Sequence, residues 1–77
     1  MRKTILAAVR RGDQPGYVGE CAELNVVTQG DSLDTVAENL REAIALALEG
    51  EDLAEYGLDP APVVVVTFEM DAVVAQA

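Results

Sequence analysis

The sequence contains no histidine and no tryptophan, and Cys21 is its single cysteine. Without histidine, a nucleophile cannot be activated by an imidazole base, and a metal site would have to rest on carboxylates alone. A single thiol cannot close an intrachain disulfide, and it makes a zinc site implausible. We therefore expect a protein without a cofactor, in which Cys21 is a core residue rather than a reactive thiol.

Long hydrophobic runs are also missing. No window approaches the roughly 20 consecutive apolar residues that span a membrane. The opening MRKTILAAVRRGD has a basic start and an apolar run, but ILAAV is too short for the core of a secretion signal, and Arg10 and Arg11 end it. These observations predict a cytoplasmic protein without membrane association.

Basic residues are few. Five lysines and arginines face fourteen aspartates and glutamates, which gives a formal net charge of -9. Such a charge repels the phosphates of nucleic acids and attracts basic proteins. The composition therefore disfavours direct, specific DNA binding by this chain alone and favours a basic protein partner.

The 77 residues suffice for one small domain with one core, and we assign residues 1–77 to a single domain. Half of the residues are apolar, so the composition is not that of a disordered chain. We find no internal repeat, low-complexity segment or linker that would indicate a second domain.

The first half of the chain has the pattern of a three-stranded antiparallel meander. Residues 3–11 alternate as a strand does, and GDQPG at residues 12–16 supplies the glycines and proline of a tight turn. Residues 17–21 are the returning strand, residues 22–24 a short link, and residues 25–29 a third strand rich in β-branched side chains.

A helix is predicted from about Ser32 to Glu49. Asp31 or Ser32 can cap its start, and Gly50 suits a left-handed stop at its end. Apolar residues recur there at spacings of three and four and form one stripe: Leu33, Val36, Ala37, Leu40, Ala43, Ile44, Ala47 and Leu48. Leu46 projects away from this stripe. Together with Ala45 on the outer helix face, the valines at 63–66 and the apolar tail, it suggests a second buried surface in a homo-oligomer.

The chain after the helix is predicted to form a short helical turn at residues 51–57 and then a further strand at residues 63–69. Pro60 and Pro62 exclude helix between the two. Four consecutive valines in the strand indicate burial on both faces, or on one face and in a subunit contact. Residues 70–77 are apolar but weakly patterned, and we expect them to fray or to lie against a neighbour. The fold class is therefore α+β.

Charged residues on the strands allow two further hypotheses. Asp13, Glu20, Glu23 and Asp31 could gather into a divalent-cation site, although solubilising surface charge is the better interpretation of their spacing. Four of the five basic residues lie on the first strand and could form a basic strip in a dimer, although charges that protect a strand edge from aggregation are favoured: Arg2, Lys3, Arg10 and Arg11.

Residues 17–44, YVGECAELNVVTQGDSLDTVAENLREAI, resemble the HicB-like antitoxin family. In that family an E-C-P-E-L type segment leads through V-x-Q-G-D/E-S/T-L to a helix of the A-x-x-N-L-x-E-A kind. The matching residues are Tyr17, Val18, Glu20, Cys21, Glu23, Leu24, Gln29, Gly30, Asp31, Ser32, Leu33, Ala37, Asn39, Leu40, Glu42 and Ala43. Ala22 departs from the pattern, since the family often has proline there.

The resemblance implies a partial ribonuclease-H-like sheet with one main helix and no working nuclease site. It also implies a partner, a small basic ribonuclease of the HicA type, which the antitoxin neutralises by covering its active-site region. Many relatives carry a DNA-binding segment after the last strand, and we expect this chain to lack one. The candidate partner contacts are chosen by charge and position rather than by the resemblance: they are the acids beside the predicted sheet surface, Glu20, Glu23 and Asp31.

The functional prediction is thus a non-enzymatic antitoxin-like protein that binds and neutralises such a toxin by occlusion. Two alternatives stay open. The chain could be a stand-alone oligomeric regulatory or structural domain without a toxin, or a carboxylate-dependent nuclease.

Overall fold

The computed structural model of this chain describes residues 2–73, and the predictions for residues 74–77 lie outside this range. The described residues form four strands, one α-helix and two short 3₁₀ helices. The main elements are β1 (Arg2–Arg11), β2 (Tyr17–Cys21), β3 (Val26–Gly30), α1 (Leu33–Leu48) and β4 (Leu58–Phe68). The 3₁₀ helices are Ala22–Leu24, between β2 and β3, and Leu53–Tyr56, between α1 and β4.

The strands form one mixed sheet in the order β3-β2-β1-β4. The pairs β1–β2 and β2–β3 are antiparallel, which confirms the predicted meander and the α+β class. β4 lies on the other side of β1 and runs parallel to it, with Ile5 opposite Val64 and Val9 opposite Phe68. The connection through α1 therefore carries the chain from one edge of the sheet to the other.

The third strand begins and ends one residue later than predicted, because Asn25 is not part of it. Asn25 has a left-handed backbone with φ 58°, and its N–H donates to the carbonyl of Ala22 over 3.1 Å. Asparagine tolerates this conformation better than most residues do. It closes the 3₁₀ turn and sends the chain into β3.

The helix starts as predicted. The hydroxyl oxygen of Ser32 accepts a hydrogen bond from the backbone N–H of Thr35 at 3.1 Å, so Ser32 rather than Asp31 is the cap. Val36, Leu40 and Ile44 are buried against the sheet. The prediction is wrong for Ala37, which is exposed, and for Leu33, which is 42% exposed. Leu33 is exposed because Val36, one turn later, is the first helix residue packed on the strands.

The last strand is longer than predicted, since it starts at Leu58 and contains both prolines. The pairing with β1 is irregular at this point: Arg2 lies opposite Leu58, but Thr4 lies opposite Val63. Proline is tolerated in edge strands and bulges, where its missing N–H breaks no ladder hydrogen bond. Pro60 and Pro62 therefore exclude helix, as expected, without excluding strand.

The core lies between α1 and one face of the sheet, and it consists of Ile5, Ala7, Val9, Cys21, Val36, Leu40, Ile44 and Leu58. The other face of the sheet carries exposed apolar side chains. Leu6, Val27 and Val63 are 64%, 71% and 60% exposed, and nothing within residues 2–73 covers them. Among the described residues, no helix combines the length and the apolar character needed to cross a bilayer.

Candidate functional site

Two of the three predicted contact residues are engaged by arginines of β1. Both carboxylate oxygens of Glu23 accept hydrogen bonds from the guanidinium of Arg2, at 2.7 and 3.3 Å, and this contact raises the pKa of Arg2. Glu20 forms an ion pair with Arg10. The four side chains are between 29% and 52% exposed to solvent, so these pairs compensate charge locally and contribute little to stability.

Asp31 lies at the other end of β2 from Glu23. Tyr17, at the start of β2, pairs with Gly30, so the residue after β3 sits beside the β1–β2 turn. Glu23 follows the far end of β2, and the five residues of this strand alone span about 13 Å at roughly 3.3 Å per residue. The three predicted contact residues therefore do not form one cluster.

Asp31 lines a groove of about 660 Å³ between the β1–β2 turn and the start of α1. Asp13 lines the same groove, together with Gln29 and Asn39. The side-chain amide of Asn39 donates to the carbonyl of Gln29 over 2.7 Å, which fixes the helix against β3. With two exposed aspartates, the groove is suited to a cationic side chain of a partner.

The four carboxylates of the cation-site hypothesis do not converge on one point. Glu20 and Glu23 form ion pairs with Arg10 and Arg2, whereas Asp13 and Asp31 line the groove. Within residues 2–73, no group of three or more histidine, cysteine or acidic side chains is arranged to hold a metal ion.

Cys21 lies in the core, as predicted, with no exposed surface. Burial raises the pKa of its thiol, and this effect outweighs the backbone hydrogen bonds that lower it. A buried thiol with a raised pKa is a poor nucleophile, because the thiolate is the reactive form. The side chain serves packing.

The basic residues do not form a continuous strip. Arg2 and Lys3 begin β1, and Arg10 and Arg11 end it, about 27 Å away at roughly 3.3 Å per residue. Since Arg2 and Arg10 are paired with Glu23 and Glu20, the positive charge of β1 is partly compensated within the chain.

The structure also has an acidic surface on the helix, which the sequence-based prediction of contacts did not include. Its four exposed members are Asp34, Glu38 and Glu42 on α1 and Glu49, the residue that follows the last turn of the helix. Their spacings of 4, 4 and 7 place them within about 80° of the helix circumference, opposite the buried stripe, and they extend over about 22 Å. We call them the acidic helix face. The same periodicity that predicted the core could have identified it.

Charge is also segregated along the chain. Residues 31–59 contain nine of the fourteen acidic residues but only one base, Arg41, whose guanidinium lies 3.9 Å from Glu38 in an exposed contact. The other four bases are all on β1. The segment from the start of α1 to the start of β4 therefore carries most of the negative charge.

Comparisons of the chain with models of protein families, with curated proteins and with solved structures give no match.

Proposed function

We propose that this chain is an antitoxin-like protein, which binds a small basic ribonuclease of the HicA type and blocks it by occlusion. The acidic helix face carries the proposal. Four exposed carboxylates in one line form a negative surface of a length that matches a small protein partner, and a basic partner would supply the missing counter-charge. The resemblance of residues 17–44 to HicB-like antitoxins supports the same partner.

The proposed role requires no chemistry by this chain. The only cysteine is buried, and the strand carboxylates are either paired with arginines or placed around an open groove. We propose that the protein is not an enzyme, needs no cofactor and acts in the cytoplasm, where its toxin would cleave RNA. Glu20, Glu23 and Asp31 stay predicted contacts. Asp31, in the groove, is the one of the three that makes no ion pair within residues 2–73.

One alternative is also favoured by a specific observation. The exposed apolar residues on the open face of the sheet are typical of an association surface, so a stand-alone oligomeric domain without a toxin stays a candidate. The nuclease alternative has weaker support, because Glu20 and Glu23 are paired with arginines rather than directed at a shared site.

Coexpression with the candidate toxin tests the proposal. The toxin to use is a short, basic, histidine-containing protein encoded next to this chain, and we expect the antitoxin-like protein to restore growth and to copurify with it. Glu38→Lys/Glu42→Lys on the acidic helix face should weaken binding at least tenfold, because it reverses the charge at the centre of the interface.

Two further double variants carry the same change in net charge. Glu51→Lys/Glu55→Lys lies beyond the helix and should weaken binding much less, and Glu20→Lys/Asp31→Lys tests the contacts predicted from sequence. Equal effects of all three variants would show that only the net charge matters. Continued growth arrest in the presence of folded wild-type protein would refute the proposed function.

A further inference from the structure

β4 is an edge strand, and no hydrogen bond within residues 2–73 engages the outer backbone groups of its residues 63–68. The N–H of Glu69 donates to the carbonyl of Val9 over 2.9 Å, so the N–H groups of odd-numbered residues on this part of the strand face β1. In a strand, alternate residues direct their N–H and C=O groups to opposite edges. Val64, Val66 and Phe68 therefore present theirs to the free edge.

The side chains of this segment are suited to a more central position in a sheet. No charged residue occurs between Asp59 and Glu69. Val63 and Val65 are 60% and 42% exposed on the open face, and Val66 is 43% exposed on the other face. α1 packs mainly on β2 and β3, so the helix covers little of β4. Long apolar edges normally carry charges that prevent pairing, and this one does not.

The opposite edge of the sheet is already partly engaged. On β3, the carbonyl of Gln29 accepts a hydrogen bond from the side chain of Asn39, and the strand has only five residues. β4 therefore offers a pairing strand more unpaired backbone N–H and C=O groups than β3 does.

We propose that a second copy of this chain pairs antiparallel with β4 and joins the two sheets into one continuous sheet. A register with Val66 opposite Val66 of the copy is self-complementary. It places Val64 opposite Phe68 of the copy, and each outward N–H of the three residues then meets a carbonyl. Shifting the register by one pair toward the amino end would place Phe68 opposite Pro62, which has no N–H to donate.

This register also avoids repulsion at the seam, although both copies are strongly acidic. Glu69 falls opposite Val63 of the copy and Asp71 opposite Ala61, so no carboxylate faces another. The segment after β4 gains a partner as well. Met70 and Val73, which are 72% and 94% exposed in the single chain, would lie along Pro62 and Asp59 of the copy. A domain this small also gains stability from association.

Disulfide cross-linking tests the register on the isolated full chain. Residues opposite each other in such a hydrogen-bonded pair are about 5.5 Å apart between Cα atoms, within the disulfide range. Val66→Cys should form a covalent dimer on mild oxidation. Val63→Cys is more exposed, but it would lie about 20 Å from its copy and should not cross-link efficiently. Wild-type protein controls for the buried Cys21.

Analytical sedimentation of variants at position 66 tests the proposed contact between the two copies of β4. Val66→Pro removes an N–H that β1 does not use, so the chain should keep its circular dichroism spectrum and become monomeric. Val66→Lys is the second variant, in case the proline disturbs folding. Val27→Lys changes a more exposed valine, on the far edge of the sheet, and should leave the dimer intact.

A monomeric wild-type chain at micromolar concentrations would overturn the inference. Dissociation by Val27→Lys but not by the Val66 variants would overturn it too, because the open faces of the sheets would then be the contact. These measurements use the isolated chain and need no toxin, so their outcome does not depend on whether the proposed function is correct.

Discussion

Leu40 on α1 packs directly over Gly19 on β2. A Cβ atom built on Gly19 would lie 2.8 Å from both Cγ and Cδ1 of Leu40 and 3.1 Å from a methyl group of Val36. The glycine therefore lets the helix approach the sheet closely enough to bury Leu40, which is 1% exposed. The side chain of Leu40 fills the space that a larger residue at position 19 would need. We therefore expect the effects of substitutions at the two positions on stability to depend on each other.

A double-mutant cycle measures this relationship. Leu40→Ala should lower the free energy of unfolding by about 2–5 kcal/mol, because it leaves a cavity in the core. Gly19→Ala should cost about 1–3 kcal/mol through overpacking. We expect the double variant to lose less than the sum, since the smaller residue on the helix makes room for the methyl group on the strand.

Chemical denaturation of the four proteins gives the three differences. Leu46→Ala is the matched control, because Leu46 is 69% exposed on the same helix and should change stability by less than about 0.5 kcal/mol. Additive effects of the two core changes would show that Leu40 and Gly19 do not compete for space.

Gly30 is required for a different reason. A Cβ atom on it would lie 2.6 Å from the backbone nitrogen of Val36 and 2.9 Å from its Cα, and the backbone of the helix cannot move aside as a side chain can. Gly30→Ala should therefore displace the first turn of α1 and cost at least about 1–3 kcal/mol. The measurement is thermal or denaturant unfolding followed by circular dichroism.

Gly50→Ala separates this steric effect from the loss of a flexible residue. Gly50 has φ +75° with open space around it, so alanine there should cost only about 1 kcal/mol of backbone strain. If Gly30→Ala is no more damaging than Gly50→Ala, the close packing of β3 against α1 has been misjudged.

Local patterns were sufficient to predict most of the fold. The alternation along residues 3–11, the GDQPG turn and the helical stripe each depend on neighbouring residues, and the structure contains all three. The pairing of β4 with β1 could not be predicted in this way, because it joins residues about sixty positions apart. The start of β4 was predicted five residues too late because of Pro60 and Pro62. Proline is excluded from the interior of a helix, but it is tolerated in an edge strand.

The candidate site was harder to predict than the fold. Glu20, Glu23 and Asp31 are close in sequence, but the antiparallel course of β2 and β3 separates Glu23 from Asp31. The arginine partners of Glu20 and Glu23 lie on β1, ten or more residues away, so sequence spacing gave no sign that these acids are paired. The acidic helix face, in contrast, follows from helical periodicity alone.

The burial of Cys21 predicts a dependence of stability on alkaline pH. Because the pKa of its thiol is raised in the folded state, the unfolded chain loses this proton first as the pH rises. Stability contributed by the neutral thiol is complete below the unfolded pKa and should decline above about pH 8.5, until the folded pKa is passed. Denaturation midpoints between pH 7 and 10 measure the decline.

Cys21→Ala is the control, because it removes the thiol and leaves every other ionisable side chain of the protein in place. Subtracting its pH profile from that of the wild type isolates the thiol. Alkylation provides a second measurement, since the native thiol should react far more slowly than the thiol in denaturant. Parallel pH profiles, or rapid alkylation of the native protein, would contradict the assignment of Cys21 to the core.

Salt should affect the two proposed associations in opposite directions. Two copies of a chain with net charge -9 repel each other, and screening reduces this repulsion, so the homodimer through β4 should become tighter as sodium chloride is added. The complex with a basic ribonuclease gains from attraction between opposite charges, so it should become weaker over the same range. Between about 0.05 and 0.5 M salt we expect changes of several-fold in each Kd, since the Debye length falls from well above 10 Å to about 4 Å.

Sedimentation equilibrium on the isolated chain and titration calorimetry with the toxin measure the two constants. Glu38→Lys/Glu42→Lys provides an internal check, because it makes the chain less negative by four charges without altering β4. In this variant the dimer should be tighter at low salt and less sensitive to added salt, while toxin binding is weakened at least tenfold. A homodimer that weakens with salt would indicate that paired charges, rather than the charge-free seam at Val64, Val66 and Phe68, hold the two copies together.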